Sequence, residues 1–212
     1  MSDDITYPVF RTPDPVFALR VARRLVQVGC HEDSWVSVCA YLDSVAEVQR
    51  VARAFPQGGF QGTSGDDEGA GVRREEDLPP LFYPVRGSDV PADPAGYEGR
   101  LPVECALNGV PVGSVEDAFL AAIGTNRGEI NWSGLWWPDA PQAGLHGESK
   151  HAEVTLLLNT PTRDVDEQAD DHTVLVHVLG SLDADGRQRR EPYAHWLAEQ
   201  VGLTVLGPWQ HW

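Results

Sequence analysis

The stretches HAEVTLLLN (151–159), HTVLVHVLG (172–180) and EPYAHWLAEQVGLTVL (191–206) decide the reading of the fold. Residues 152–158 and 173–179 are apolar runs of strand length. In the second, Val174, Val176 and Val178 alternate with residues that are themselves mostly apolar, as in a strand covered on both sides. In the first, Ala152, Val154, Leu156 and Leu158 make one clean face, and His151, Glu153, Thr155 and Leu157 make a mixed one. Pro192 fits the first turn of a helix, where its missing N–H costs nothing. Tyr193, Trp196, Leu197 and Val201 then fall on one stripe, and Gly202 stands where a left-handed cap is wanted. The expected order is strand, strand, helix, and a closing strand at 203–206.

Upstream, residues 7–10 suggest a short strand. Asp14-Pro15 opens a helix whose apolar stripe is Phe17, Val21, Leu25 and Val28, and Gly29 closes it. Residues 35–42 are rich in strand formers. Ser44 and Glu47 form a capping box for a helix carrying Val45, Val48, Ala52 and Phe55. Residues 57–99 break the pattern with Gly, Pro and acid, as a linker or a long loop does, with a small apolar island at 78–85 and a mobile part expected within 62–77. Asn108-Gly109 is the dipeptide of a type I′ turn, so 102–112 reads as a hairpin. Ser114 is placed to cap a helix bearing Val115, Ala118, Phe119, Ala122 and Ile123.

These elements predict an α+β fold: a mostly antiparallel sheet with amphipathic helices packed on it. The C-terminal unit, with the 102–112 hairpin and the helix after it, is compatible with a ferredoxin-like arrangement. Three segments are expected, 1–56, 57–99 and 100–212, with the first and last free to share one domain. No internal repeat is apparent. A chain of 212 residues buries roughly 70% of its unfolded surface and needs no metal or disulfide staple.

The net charge is −16, from 32 acids against 16 bases. Such a balance argues against phosphate-backbone binding and against docking on anionic membranes, favours solubility, and permits attraction to a basic protein partner. Lys150 is the sole lysine among the bases, a codon pattern that suggests a high-GC bacterium or its phage. Three cysteines, at 30, 39 and 105, form no disulfide or zinc framework, and no secretory leader or membrane span is evident. A cytoplasmic protein is expected.

Motifs are scarce. His151-Ala152-Glu153 is half of a zinc-deaminase signature, but no cysteine follows Cys105 to complete it. Asp183, Asp185 and Gly186 suggest a calcium loop whose position 12 is Pro192, not a carboxylate, so a plain turn fits better. No nucleotide loop or serine-hydrolase elbow is present. The candidate catalytic residues are therefore geometric: if 151–158 and 173–179 pair antiparallel, His177 falls opposite Glu153 or Thr155, with His151 nearby. An imidazole oriented by a carboxylate serves acid–base work. Trp132, Trp136 and Trp137 are the candidate binding residues, as an aromatic lid or an interface anchor.

Three functions are compatible with these features. The favoured one is a non-enzymatic adaptor, inhibitor or immunity-type protein that captures a basic partner through acidic loops at 66–68, 75–77 and 164–171. The second is a small enzyme or ligand-binding domain with a His177/Glu153 pair under a Trp lid. The third is a structural component of a larger assembly. No cofactor or metal is called for.

Overall fold

The computed structural model describes residues 3–63, 81, 83–97, 99–162, 165–180 and 188–211. Among the described residues nine strands form one antiparallel sheet: β1 (Asp3–Thr12), β2 (Trp35–Leu42), β3 (Gly59–Gly62), β4 (Val85–Arg86), β5 (Val103–Pro111), β6 (Arg127–Ser133), β7 (Glu153–Leu158), β8 (His172–Gly180) and β9 (Gln210–His211). The helices are α1 (Pro15–Gly29), α2 (Val45–Ala54), α3 (Glu116–Ile123) and α4 (Glu191–Gln200). The α+β architecture read from the sequence is the one observed.

Strand order is β4-β3-β5-β2-β6-β7-β8-β1-β9, and it contains the same arrangement twice. The segment β2-α2-β3-β5-α3-β6 places its strands in space as second, third, first, fourth. So does β1-α1-β7-β8-α4-β9. Each is a ferredoxin-like split βαβ order. The inner unit, 35–133, is inserted between α1 and β7 of the outer one. Its two ends are ladder neighbours, since Trp35 pairs with Ser133. The units join where β6 pairs with β7. Thus the outer unit draws its first strand and helix from the N-terminus, and not from 102–123 as the sequence suggested.

Local chemistry explains the elements. Asp14 accepts from the Phe17 N–H at 3.0 Å and opens α1; Ser44 accepts from the Glu47 N–H at 3.4 Å and opens α2. The expected hairpin at Asn108-Gly109 is instead a bulge in an unbroken β5. Val38 faces Leu107 and Val36 faces Val110, so two residues oppose Ser37 alone. Only Gly109 adopts positive φ, +66°, whereas a type I′ turn needs two such residues. Ser114 does not cap α3; its hydroxyl donates to Pro111 O at 2.5 Å. The buried Glu116 carboxylate holds that end, accepting from the Gly113 and Val115 N–H groups. The closing strand expected at 203–206 is irregular chain, tied by the Leu206 N–H to Pro8 O, and β9 lies further on beside β1.

One face of the sheet carries the core. Val36, Val38, Ile130, Trp132, Val154, Leu156, Val174 and Val176 share it with the buried residues of all four helices. The helix layers of the two units meet at the Arg23–Asp117 ion pair between α1 and α3.

Candidate functional site

The opposite face has two halves. In the outer unit it is closed: Thr6, Thr155, Leu157, Thr173, Leu175 and His177 are all buried. In the inner unit it is half-exposed, with Ser37, Cys39 and Tyr41 on β2, Glu104 and Ala106 on β5, and Glu129, Asn131 and Ser133 on β6. Strict alternation produces this face, because every second residue of β2 and β6 points into the core.

At the seam between the units the polar side chains form a chain. Ser133 Oγ donates to Asn131 Oδ1 in a very short bond. Asn131 Nδ2 donates to Glu153 Oε2 at 3.0 Å and to Thr155 Oγ1 at 2.9 Å. Thr155 Oγ1 lies 2.9 Å from His177 Nε2. Glu153 does face His177 in the ladder. The imidazole nevertheless bonds the diagonal Thr155, and the carboxylate is held by Asn131. His177 is 0% exposed. His151 is buried in the turn before β7, beyond the last ladder pair.

The tryptophans separate. Trp132 is on the core face, opposite to the His177 side chain, and its indole N–H donates to Glu116 Oε1 at 3.0 Å. Trp137 is also core; its N–H donates to the main-chain O of His177 at 2.8 Å. Trp136 is 60% exposed. They form no common lid: two fill the core, where an indole with a bonded N–H belongs, and one faces solvent.

On the half-exposed face the charges are mostly acidic. Cys39 faces Glu129 across one ladder and Ala106 across the other, and its thiol donates to Glu104 Oε1 at 3.6 Å. Burial, then Glu104 and Glu129, push the Cys39 thiol well above its ordinary value. Burial and then Glu104 push Tyr41 up as well. Two cations stand on this face among the described residues: Arg86, exposed and paired with Gly59 at the outer edge, and Arg127, which is engaged with Asp43 at 3.1 Å, with Asp166 O at 2.6 Å and over the Tyr41 ring at 6.0 Å. At the outer end, Gly59 faces Ala106 and Gln61 faces Glu104. The small pair leaves a hollow of about 460 Å³.

Among the described residues no three metal-ligating side chains come together, and no helix is long and apolar enough to cross a membrane. The calcium-like turn at 183–186 and the acidic loops at 66–68 and 75–77 lie outside the described residues, as does residue 164 of the third. Asn131, Glu104, Glu129 and Cys39 were missed by the sequence reading. The alternation of Arg127, Glu129, Asn131 and Ser133 with Gly128, Ile130 and Trp132 is the signal that could have found β6 and its polar face. Comparisons with protein-family models, with curated proteins and with solved structures return no match.

Proposed function

We propose that this chain is a non-catalytic binding protein that captures a basic protein partner on the half-exposed sheet face of its inner unit. The observation that supports the reading is the face itself. Glu104 and Glu129 stand on adjacent sides of Cys39 and Tyr41, and their field is felt by both groups. Trp35, 42% exposed at the end of β2, offers an aromatic contact at the rim. The overall charge of −16 extends the attraction beyond the face and speeds encounter with a basic partner.

The test is capture from a lysate of the source organism at low and at moderate salt, by the wild-type chain and by a Glu104→Gln/Glu129→Gln variant. A basic polypeptide retained at low salt, released as screening shortens the electrostatic reach, and lost in the variant is the expected result. Equal capture by both proteins, or none by either, refutes it.

The His177 alternative has one observation in its favour, the continuous bond chain from Ser133 to His177. It predicts that His177→Gln removes an activity or ligand-induced thermal shift found by screening metals and metabolites. Retention of that activity would sink it.

A further inference from the structure

We infer that the hollow over Gly59 and Ala106 is a pocket for a guanidinium group, the anchor point for an arginine side chain of the basic partner; the inference rests on the capture reading above. The hollow exists because two facing strand positions carry a hydrogen and a methyl where neighbours carry long side chains. Its volume, about 460 Å³, lies within the roughly 300–1,000 Å³ typical of small-ligand sites. Its lining joins the Glu104 carboxylate to the carboxamides of Gln57, Gln61 and Asn108, and among the described residues no cation lines it.

Glu104 is the decisive group. Among the described residues its one hydrogen-bond donor is the Cys39 thiol at 3.6 Å, and a thiol is a weak donor. A half-buried carboxylate with so little compensation favours a charged donor. The other polar walls are carboxamides, whose oxygens accept. A planar cation with five N–H donors uses acceptors arranged around it on several sides; a lysine ammonium, with three donors converging on a point, uses fewer. The flat floor of the Gly59–Ala106 pair suits the planar group. A Cβ added at Gly59 would come no closer than 3.7 Å to Ala106 O, so a somewhat larger group at this position is accommodated.

The experiment titrates the full chain with N-acetyl-argininamide at millimolar concentrations, and in parallel with N-acetyl-lysinamide, following backbone amide resonances. Shifts centred on Gly59, Gln61 and Ala106 are expected. Ala106→Leu, which fills the hollow, and Glu104→Gln, which removes its charge while keeping its shape, should each weaken the arginine response about tenfold. Should Ala106→Leu fail to fold, Glu104→Gln carries the test. No shift at these amides, a response unchanged in Glu104→Gln, or a lysine response equal to the arginine one overturns the inference. Partner capture separates the two levels. If Ala106→Leu still captures the basic partner while Glu104→Gln/Glu129→Gln does not, the docking face stands and the pocket is not its anchor. If the arginine response appears with no partner captured at either salt, the pocket stands and the docking reading fails.

Discussion

Asn159 ties the two units together, and its replacement gives a quantitative test of the nested fold. It ends β7 with φ +56° and is 9% exposed. Its Nδ2 donates to Gly124 O at 3.1 Å and to Asn126 O at 2.8 Å, both in the α3–β6 turn of the inner unit. Its main-chain N–H donates to His172 Nδ1 at 3.1 Å, and its carbonyl accepts from the Ala169 N–H. Asn159→Gly keeps the left-handed backbone and removes only the two side-chain bonds. At about 1 kcal/mol each, the loss is about 2 kcal/mol. Asn159→Ala loses the same bonds and adds the left-handed penalty of an L residue, about 1 kcal/mol, for a total of about 3. Asn159→Asp keeps the tolerant shape but sets a carboxylate against two carbonyl oxygens in a buried site, and should be the worst of the three. Urea unfolding of the full chain, read as midpoint shifts at constant slope, measures the series. If Asn159→Gly falls within about 0.5 kcal/mol of wild type, or if alanine is no worse than glycine, the keystone role is refuted.

His172 should make stability fall below neutral pH. Burial holds its imidazole below the ordinary value, against the raising effect of Pro13 O, Asp171 and Asp14. The unfolded chain then binds the proton first, so stability is full above about pH 6.5 and declines as the pH drops toward the lower folded value; His172→Gln should flatten the melting temperature across that window, and an unchanged slope would count against this. Glu116→Gln puts an amide N–H₂ among three N–H donors in the core, from Gly113, Val115 and Trp132; a loss of about 2–4 kcal/mol is expected by chemical denaturation, and less than about 1 would mean the carboxylate is not the cap. Gly109→Ala meets nothing within 4 Å, so its cost should be the left-handed backbone alone, about 1 kcal/mol.

The readable parts of the fold were those whose period and cap lie close together in sequence. Asp14-Pro15 and Ser44 with Glu47 announced α1 and α2, and the alternation in 35–42 announced β2. The N-terminal strand was read as 7–10 but runs from Asp3 to Thr12, because Pro8 and the acidic start obscure the alternation. Asn108-Gly109 misled because one left-handed glycine serves a bulge as well as a turn, and only the partner strand decides which. The closing strand failed at 203–206 because the strand next to β1 is set by distant pairing, not by local apolarity. Of the candidate site, the period of two put Glu153, Thr155 and His177 on one face and left open which of the two His177 would oppose; the register makes it Glu153. The diagonal bond to Thr155 depends on Asn131 in β6, a strand the sequence reading did not find.

The nested arrangement bears on what the seam does. Each unit supplies a strand that covers an edge of the other, so neither β6 nor β7 is left with unpaired backbone groups. Such an edge-to-edge joint has a register problem. A slip of one residue between β6 and β7 would put Asn131 opposite the core residue Val154 or Leu156 and turn Glu153 inward. The bonds from Asn131 to Glu153 and Thr155, continued to His177, hold only in the observed register. Together they cost little where the face is half-exposed and become costly to break where it is buried. Setting the register accounts for both the polarity of the seam and the complete burial of His177, whereas acid–base chemistry accounts only for the polarity. The remaining acids, Glu104 on β5 and Glu129 on β6, stand beside Cys39 and Tyr41. They lie on the half of the sheet that the helices and the outer unit leave open, which is why the binding reading is placed there.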